Sequence, residues 1–227
     1  MLWWLLGGLA LLAALLYWQF ILTEGVYLGR RVVVWLYDLG AQTYDKVKEY
    51  DADDEAFYLG EPLAQRLAGQ PQARVLDVAT GTGRLPLALF QQPQFQGVVV
   101  GLDASKGMLE QASAKLADYW ERVVLVHHDA TRLPFPDDYF DAVTCLEALE
   151  FLPDPDASLS EIVRVLKPGA TLLVTNRVGV DRLFFPSRTT STAAFIRRLT
   201  DLGLTDIQPQ PWMTYYDLVW ARKVGSG

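Results

Sequence analysis

The chain begins with an uninterrupted apolar stretch. Residues 2–22 read LWWLLGGLALLAALLYWQFIL and contain no charged side chain. As a helix rising about 1.5 Å per residue, the stretch would span about 30 Å, the thickness of the hydrocarbon core of a bilayer. Aromatic rings favour the headgroup level, and here they lie near both ends, at Trp3, Trp4, Tyr17 and Trp18. The pattern predicts a single transmembrane anchor.

Two alternatives to a membrane anchor fit the stretch less well. A cleavable signal peptide has a basic beginning, a shorter apolar core and a small-x-small cleavage site, but here no Lys or Arg precedes the run, which ends in YWQFIL. A buried core helix of this length without a polar face is unusual in a small domain. Because basic residues favour the cytoplasmic side, Arg30 and Arg31 after the stretch predict a cytoplasmic location for the rest of the chain.

The segment after the anchor is apolar again but is interrupted by the arginine pair. Residues 26–39 read VYLGRRVVVWLYDL. Two interpretations stay open: a helix in the membrane interface with its arginines toward lipid phosphates, or a helix packed on the domain that follows. The chain is therefore divided into a transmembrane anchor at 1–23, a juxtamembrane or interfacial segment at 24–43 and one domain at 44–227.

From about residue 44 onward, short apolar runs alternate with helical patterns. The runs lie at 74–78, 98–102, 123–126, 140–145 and 170–175, and the helical patterns lie at 61–69, 85–91, 105–119 and 157–166. This alternation predicts an α/β domain with a parallel sheet covered on both faces. A helix at 192–202 and strands at 207–210 and 214–222 then predict a closing hairpin at the sheet edge, and Lys167-Pro168-Gly169 predicts a sharp stop.

Composition excludes several kinds of function. The formal net charge of the 227 residues is −7, which argues against a nucleic-acid backbone as the main partner. The single cysteine, Cys145, permits no intramolecular disulfide or cysteine-based metal site, and we expect it to pack in a strand. The adjacent His127 and His128 would point to opposite faces of a strand, so we expect structural or exposed roles and no metal site.

The most informative motif is the turn after the first predicted strand. The sequence VLDVATGTGR at 75–84 ends a strand and places Gly81 and Gly83 in a turn that opens a helix. Without a Cβ, glycine lets the backbone turn tightly and approach a ligand. Free N–H groups at the helix start suit a carboxylate, and Asp77 could hold a cationic amine. Alone, such a pair of glycines is often only a tight turn.

Two further acids follow the next strands. Asp103 ends the second predicted strand, where an acid can accept hydrogen bonds from ribose hydroxyls, and Asp129 follows the third, placed to read the edge of a base. The carboxyl ends of parallel strands meet at one crevice. Asp77, Asp103 and Asp129 are therefore predicted to surround a single nucleoside-shaped hollow.

These motifs resemble those of class I S-adenosylmethionine (SAM)-dependent methyltransferases, including the ubiquinone/menaquinone-biosynthesis C-methyltransferases. The matching stretches are VLDVATGTG, VVVGLDASKGML, HHDATRLPFPDDYFDAV and VLKPGATLLVTN, in the family's order, within residues 44–223. The resemblance implies a Rossmann-like, doubly wound, seven-stranded sheet, mostly parallel, with an antiparallel C-terminal edge strand. It also implies SAM as the cofactor and no metal.

The resemblance assigns roles to particular residues. Those that would line the methionine part of SAM are Asp77, Ala79, Gly81 and Gly83, with Thr80 and Thr82 of the same turn also counted as cofactor-binding. Those that would contact the nucleoside are Asp103, Ala104, Met108, Asp129 and Ala130. Leu146 and Glu147 would face the sulfonium and the acceptor, and Tyr44 matches a lid-helix tyrosine.

The acceptor is predicted to be small and lipophilic, a quinone precursor or a lipid, because an anchor would hold the open end of the sheet near the bilayer. Glu147 is the candidate general base. Glu150 is either acceptor-facing or solvated. The aromatic cluster Trp212, Tyr215 and Tyr216 is expected to be edge-strand packing in preference to a substrate cage.

Two other functions remain as alternatives. A nicotinamide-dependent oxidoreductase needs a third small residue in its G-x-G-x-x-G/A fingerprint, whereas this chain has Pro86 there. A non-catalytic SAM-binding scaffold at the membrane is compatible with every motif above, because the family resembled has no universal catalytic side chain.

Overall fold

A seven-stranded sheet with helices on both faces forms the main body of the molecule. The computed structural model describes residues 2–225, and side-chain surroundings for residues 3–225. The strand order is β3-β2-β1-β4-β5-β7-β6. The strands are β1 Arg74–Val78, β2 Val98–Asp103, β3 Val123–His127, β4 Phe140–Cys145, β5 Leu166–Arg177, β6 Leu204–Trp212 and β7 Tyr216–Lys223.

Four of the helices start at a residue whose side chain accepts hydrogen bonds from backbone N–H groups of the first turn. The helices are α1 Leu2–Tyr17, α2 Arg30–Gly40, α3 Tyr44–Lys48, α4 Ala52–Glu55, α5 Glu61–Arg66, α6 Arg84–Phe90, α7 Lys106–Lys115, α8 Pro155–Val165 and α9 Thr192–Asp201. The Ser105 hydroxyl accepts from the N–H of Met108 at the start of α7, and the Asp154 carboxylate accepts from two N–H groups at the start of α8. Such caps satisfy backbone donors that a helix leaves free.

The sheet confirms the predicted fold class. Strands β1 to β5 pair in parallel, whereas β7 runs antiparallel to both β5 and β6. The antiparallel C-terminal strand β7 therefore lies one place in from the edge, and β6 is the edge strand. Strand β5 is longer than expected, because it pairs with β4 at Leu166, before the proline and glycine of the predicted stop, and resumes after a register shift.

Alternate residues of the strands feed two apolar layers. Leu76 and Leu172 belong to a buried cluster with side chains of α8 and α9, whereas their neighbours Val75 and Leu173 belong to a second cluster with side chains of α5, α6 and α7. Successive side chains of a strand point to opposite faces. The sheet is therefore covered on both sides, and its loops at the carboxyl ends of the strands are left free for a ligand.

The apolar N-terminal helix stands apart from these layers. Helix α1 continues into a π-helical turn, Trp18–Leu22, and the stretch Trp3–Leu22 is long and apolar enough to cross a membrane. Only 6% of it is buried, so in the described part of the chain it packs into no core.

Helix α2 packs on the α/β domain through one face. Val33 is buried, and the Asp38 carboxylate accepts from the Ser105 hydroxyl and from the N–H of Gly107 at the start of α7. The opposite face, with Trp35 and Leu39, is exposed. Of the two interpretations that the sequence left open, a helix packed on the domain describes the inner face of α2. Arg30, the first residue of α2, also contacts the domain, through Asp129.

Candidate functional site

The glycine turn between β1 and α6 forms the floor of the site. Ala79, Gly81 and Gly83 all have positive φ, at 56°, 53° and 79°. A Cβ on Gly83 would lie 2.9 Å from a Leu116 methyl carbon, so this glycine permits close packing of the turn against α7. A Cβ on Gly81 would have no atom within 4 Å. Gly81 therefore borders open space, as a residue beside a ligand must.

Two adjoining cavities open beside this turn. The larger holds about 750 Å³ not occupied by protein atoms, its mouth included, and the smaller holds about 390 Å³. Concave spaces at the carboxyl ends of parallel strands are a common place for a small ligand or cofactor. The cavities share five lining residues, which are Tyr44, Ala79, Gly81, Leu146 and Glu147. They therefore form one crevice along the carboxyl ends of β1, β2 and β4.

Asp103 lies in the larger cavity, tied to the glycine turn. Its carboxylate accepts from the N–H of Gly81 at 2.9 Å and from the N–H of Ser105 at 2.8 Å. Burial raises the pKa of Asp103, although these backbone N–H bonds oppose the shift. Because an ionised carboxylate has about four acceptor positions, it can still accept from a diol.

Asp129, in the same cavity, is held on both sides. One carboxylate oxygen accepts from the N–H and the hydroxyl of Thr131, and the other lies 2.7 Å from Nε of Arg30 at the start of α2. Residues Val33, Val34 and Tyr37 of α2 also line this cavity. The helix that follows the apolar N-terminal stretch is therefore one wall of the crevice.

Asp77 lies in the smaller cavity and is almost fully buried. The Thr144 hydroxyl donates to it at 2.6 Å. Within residues 3–225, no Lys or Arg nitrogen lies within salt-bridge distance of its carboxylate. Burial raises the pKa of Asp77 to about 6, against the hydrogen bond from Thr144. A buried carboxylate without a cation is suited to an incoming ammonium group.

A buried arginine lines the same cavity. Arg84 lies between two carboxylates, with Nε 3.0 Å from Glu55 and Nη2 2.8 Å from Glu147, and its guanidinium lies 4.1 Å from the centre of the Tyr50 ring. Burial raises the pKa of Glu55 to about 7 despite the neighbouring Arg84. Nη1 of Arg84 is buried and has no hydrogen-bond partner among the described residues. A carboxylate of a ligand would satisfy it.

Comparison with known proteins shows what the domain is similar to. Residues 76–174 match the family model described as a methyltransferase domain. A demethylmenaquinone methyltransferase of Lactiplantibacillus plantarum is 37% identical over 140 residues, which are 61% of this chain and 59% of that protein. Residues 76–174 are therefore similar to a methyltransferase domain, in line with the family that the sequence motifs resemble. SAM is the cofactor that this similarity indicates.

Solved structures share the fold of the α/β domain. A SAM-dependent methyltransferase from Aquifex aeolicus is 23% identical with a TM-score of 0.63, covering 80% of this chain and 98% of that one. The [4+2]-cyclase SpnF is 22% identical with a TM-score of 0.70, covering 86% and 96%. At these identities the likeness shows the fold alone. The chain spans between 40% and 59% of the length of the first curated relatives that it matches.

The residues of the crevice fit both ends of SAM, the cofactor expected from the sequence motifs. The ammonium has a buried carboxylate at Asp77, the carboxylate has the unpartnered Nη1 of Arg84, and the open face of Gly81 leaves room between them. Asp103 and Asp129 border the larger cavity, where the nucleoside would lie.

The structure brings most of the predicted site residues to this crevice. The smaller cavity is lined by Tyr44, Asp77, Ala79, Thr80, Gly81, Thr82, Leu146 and Glu147, and the larger by Asp103, Ala104, Asp129 and Ala130 as well as the shared residues. Two predicted residues are not brought to it. The Met108 side chain is buried, because α7 turns it into the domain, and Gly83 packs against α7.

Some residues singled out in the sequence lie in surroundings that the sequence analysis did not predict. Glu150 is neither solvated nor in the crevice, because it is buried against Arg177 and the hydroxyl of Tyr216. Tyr216 is thus buried, whereas Tyr215 is half exposed on the same edge. Cys145 packs in β4, as expected.

Several lining residues were not found from the sequence. They are Arg30, Val33, Val34 and Tyr37 on α2, together with Tyr50, Arg84 and His128. For Arg84 a signal existed: it is the first helical residue after the glycine turn, where a side chain can bend back to the same ligand. For α2 no local signal existed, since the bonds that hold it against the crevice, Asp38 with Ser105 and Arg30 with Asp129, join residues about 70 or more positions apart.

Proposed function

We propose that the protein transfers a methyl group from SAM to a small lipophilic acceptor, a quinone precursor or a lipid, at a membrane surface. The demethylmenaquinone methyltransferase named above and a relative from Geobacter sulfurreducens, named as a ubiquinone/menaquinone biosynthesis C-methyltransferase, support this acceptor class. The apolar N-terminal stretch supports the membrane location.

One observation carries the proposal: the apolar wall of the crevice is continuous with the base of the N-terminal helix. Val33 and Phe151 line the larger cavity and pack in one buried cluster with Val26 and Phe185. Val26 follows the apolar stretch by four residues. An acceptor with an apolar tail would therefore reach the crevice from the bilayer without crossing much water.

The two cavities would bind different parts of the cofactor. Asp77 and Arg84 would hold the amino and carboxylate groups of the cofactor, and Asp103 the ribose, with Asp129 toward the base. The cofactor supplies a methyl group on a positively charged sulfur. In the transfer, the acceptor would form a bond to that methyl carbon as the bond from carbon to sulfur breaks, and the positive charge on sulfur would be lost.

The chain itself mainly orients the reactants and excludes water. Leu146 and Glu147 lie at the junction of the two cavities. Glu147 adopts a positive φ of 52°, a conformation that is costly for a residue with a side chain and that is often found at functional sites. Its carboxylate would accept the proton that the acceptor loses, and Arg84 fixes its orientation.

The test is transfer of radiolabelled methyl from SAM into a total lipid extract, followed by identification of the labelled species. Label in a quinone or lipid fraction supports the proposal. Label only in water-soluble acceptors contradicts the lipophilic acceptor. SAM binding measured at equilibrium without any turnover favours the non-catalytic scaffold instead.

The orientation of the anchor is part of the same proposal. Arg30 and Arg31 follow the apolar stretch and would keep the α/β domain in the cytoplasm. Protease added to inverted membrane vesicles is expected to digest the domain, and protease added to right-side-out vesicles is expected to spare it. The opposite pattern would refute this topology.

A further inference from the structure

We propose that the loop between β5 and α9, residues 178–191, is a second membrane contact of the protein, through which Val180 and Leu183 enter the lipid interface. This inference rests on the membrane anchor proposed above. It adds that the α/β domain lies directly against the bilayer in one fixed orientation and is not suspended from a flexible tether.

The loop is bonded to the end of the apolar helix at two points. The indole N–H of Trp18 donates to the carbonyl of Phe184 at 3.1 Å, and the Tyr27 hydroxyl donates to the carbonyl of Pro186 at 2.9 Å. The rings of Trp18 and Tyr27 are stacked, with centroids 5.0 Å apart. Trp18 lies within the apolar stretch and Tyr27 just beyond its end at Leu22. The loop is therefore bonded to the chain on both sides of the point where the helix would leave the membrane.

The first contact sets the depth of the loop. The stretch long enough to span a membrane ends at Leu22, and Trp18 lies four residues before that end. Four residues of helix rise about 6 Å. Since an indole ring favours the headgroup level, the carbonyl of Phe184 that it binds lies in the interface too, and so do the residues next to it.

The apolar side chains of the loop point in two directions, one toward the core and the other toward the surface. Phe185 is fully buried, its ring 5.4 Å from that of Phe151 in a perpendicular arrangement. Val180 and Leu183 are instead 73% and 64% exposed. A single exposed apolar residue needs no explanation, but two on one short loop, held at the level of the interface, have lipid as their natural surroundings.

The loop is also internally hydrogen-bonded and reaches the crevice. The Thr189 hydroxyl donates to the carbonyl of Arg182 at 2.8 Å, which closes the loop on itself. Nη1 of Arg188 donates to the carbonyl of Leu152 at 2.6 Å, and Leu152 lines the larger cavity. The loop therefore connects the interface to the wall of the crevice, and its docking would hold the mouth of the crevice at the membrane surface.

The chain offers a direct test by site-specific labelling. Its one cysteine, Cys145, is buried, and burial raises the pKa of its thiol, so it resists thiol reagents. An environment-sensitive fluorophore is attached to Leu183→Cys, to Val180→Cys, and to two controls. Leu12→Cys reports the apolar helix, and Val124→Cys reports an exposed valine on the strand at the far edge of the sheet.

The full chain is reconstituted in phosphatidylcholine vesicles with an acidic lipid, with and without a lipid that carries a quencher in its acyl chain. The proposal expects blue-shifted emission and quenching by that lipid at positions 183, 180 and 12, and neither at 124. SAM binding by each labelled variant confirms that it is folded.

Three results would overturn the proposal, and they differ from one another. Quenching at position 12 with water-like emission at 183 and 180 leaves the anchor standing and removes the second contact. Blue-shifted emission at 183 without lipid quenching means that another protein or a second copy of the chain covers the loop. No quenching at any position removes the anchor itself, and with it the membrane part of the proposed function, whereas methyl transfer is measured separately.

Discussion

Replacing the buried carboxylate in the smaller cavity, Asp77→Asn, is predicted to change ligand binding and stability in opposite directions. Burial raises the pKa of Asp77 from 3.8 to about 6. A carboxyl group whose pKa is higher in the folded than in the unfolded state loses stabilising free energy as the pH rises from about 4 through 6. At neutral pH the ionised group therefore costs the ligand-free protein about 3 kcal/mol.

Asparagine has nearly the same shape, can still accept from the Thr144 hydroxyl, and carries no charge. The variant is therefore expected to melt at the same temperature as the wild type or higher at pH 7.5. It also loses the anion that would hold the cofactor ammonium. Removing one partner of a buried charged pair costs about 2–5 kcal/mol, so the Kd for SAM is expected to rise at least about 30-fold.

The assays are isothermal titration calorimetry with SAM and thermal unfolding of the ligand-free protein. A matched control is Asp141→Asn, whose carboxylate bonds Lys167 and the N–H of Arg74 at the opposite end of the sheet. That variant is expected to lose stability and keep its affinity. Wild-type affinity should also fall as the pH drops below about 6, and this dependence should vanish in Asp77→Asn. A variant that binds SAM normally, or that is clearly destabilised, would refute the reasoning.

Three further substitutions test other parts of the crevice. Arg84→Met leaves the Glu55 and Glu147 carboxylates without their cation, so both thermal stability and SAM affinity should fall; unchanged affinity would show that Nη1 binds no carboxylate. Glu147→Gln should lower kcat while SAM affinity changes little, and methyl-transfer rates equal to wild type across pH would exclude the general base. Gly83→Ala places a Cβ 2.9 Å from Leu116 at a positive φ, and should lower the melting temperature by several degrees, as about 1–3 kcal/mol of overpacking does; unaltered melting would contradict the packing role.

The central sheet was predictable because its signals are local. The run at Arg74–Val78 and the run at Phe140–Cys145 were placed at their observed bounds, since each is a short buried stretch between turn residues. The start of β5 was not predicted. Its first residues pair with β4 across a register shift, and nothing in the sequence of β5 itself indicates that shift.

The candidate site divides in the same way. Asp77 and Asp103 follow strands in the sequence, and the order of parallel strands brings them to one edge, so they were found from spacing alone. The wall formed by α2 was not found from the sequence, because Arg30 and Asp129 lie far apart in the chain and come into contact only in the folded domain. Met108 was assigned by resemblance, and the local direction of α7 turns its side chain into the core instead.

The most direct test of the account is a crystal structure of the protein with S-adenosylhomocysteine, the product that methyl transfer leaves. The account predicts the amino acid part beside Asp77 and Nη1 of Arg84 in the smaller cavity, and the adenosine beside Asp103 under helix α2 in the larger one. A ligand bound elsewhere on the molecule, or the same crevice without ligand at saturating concentration, would contradict it.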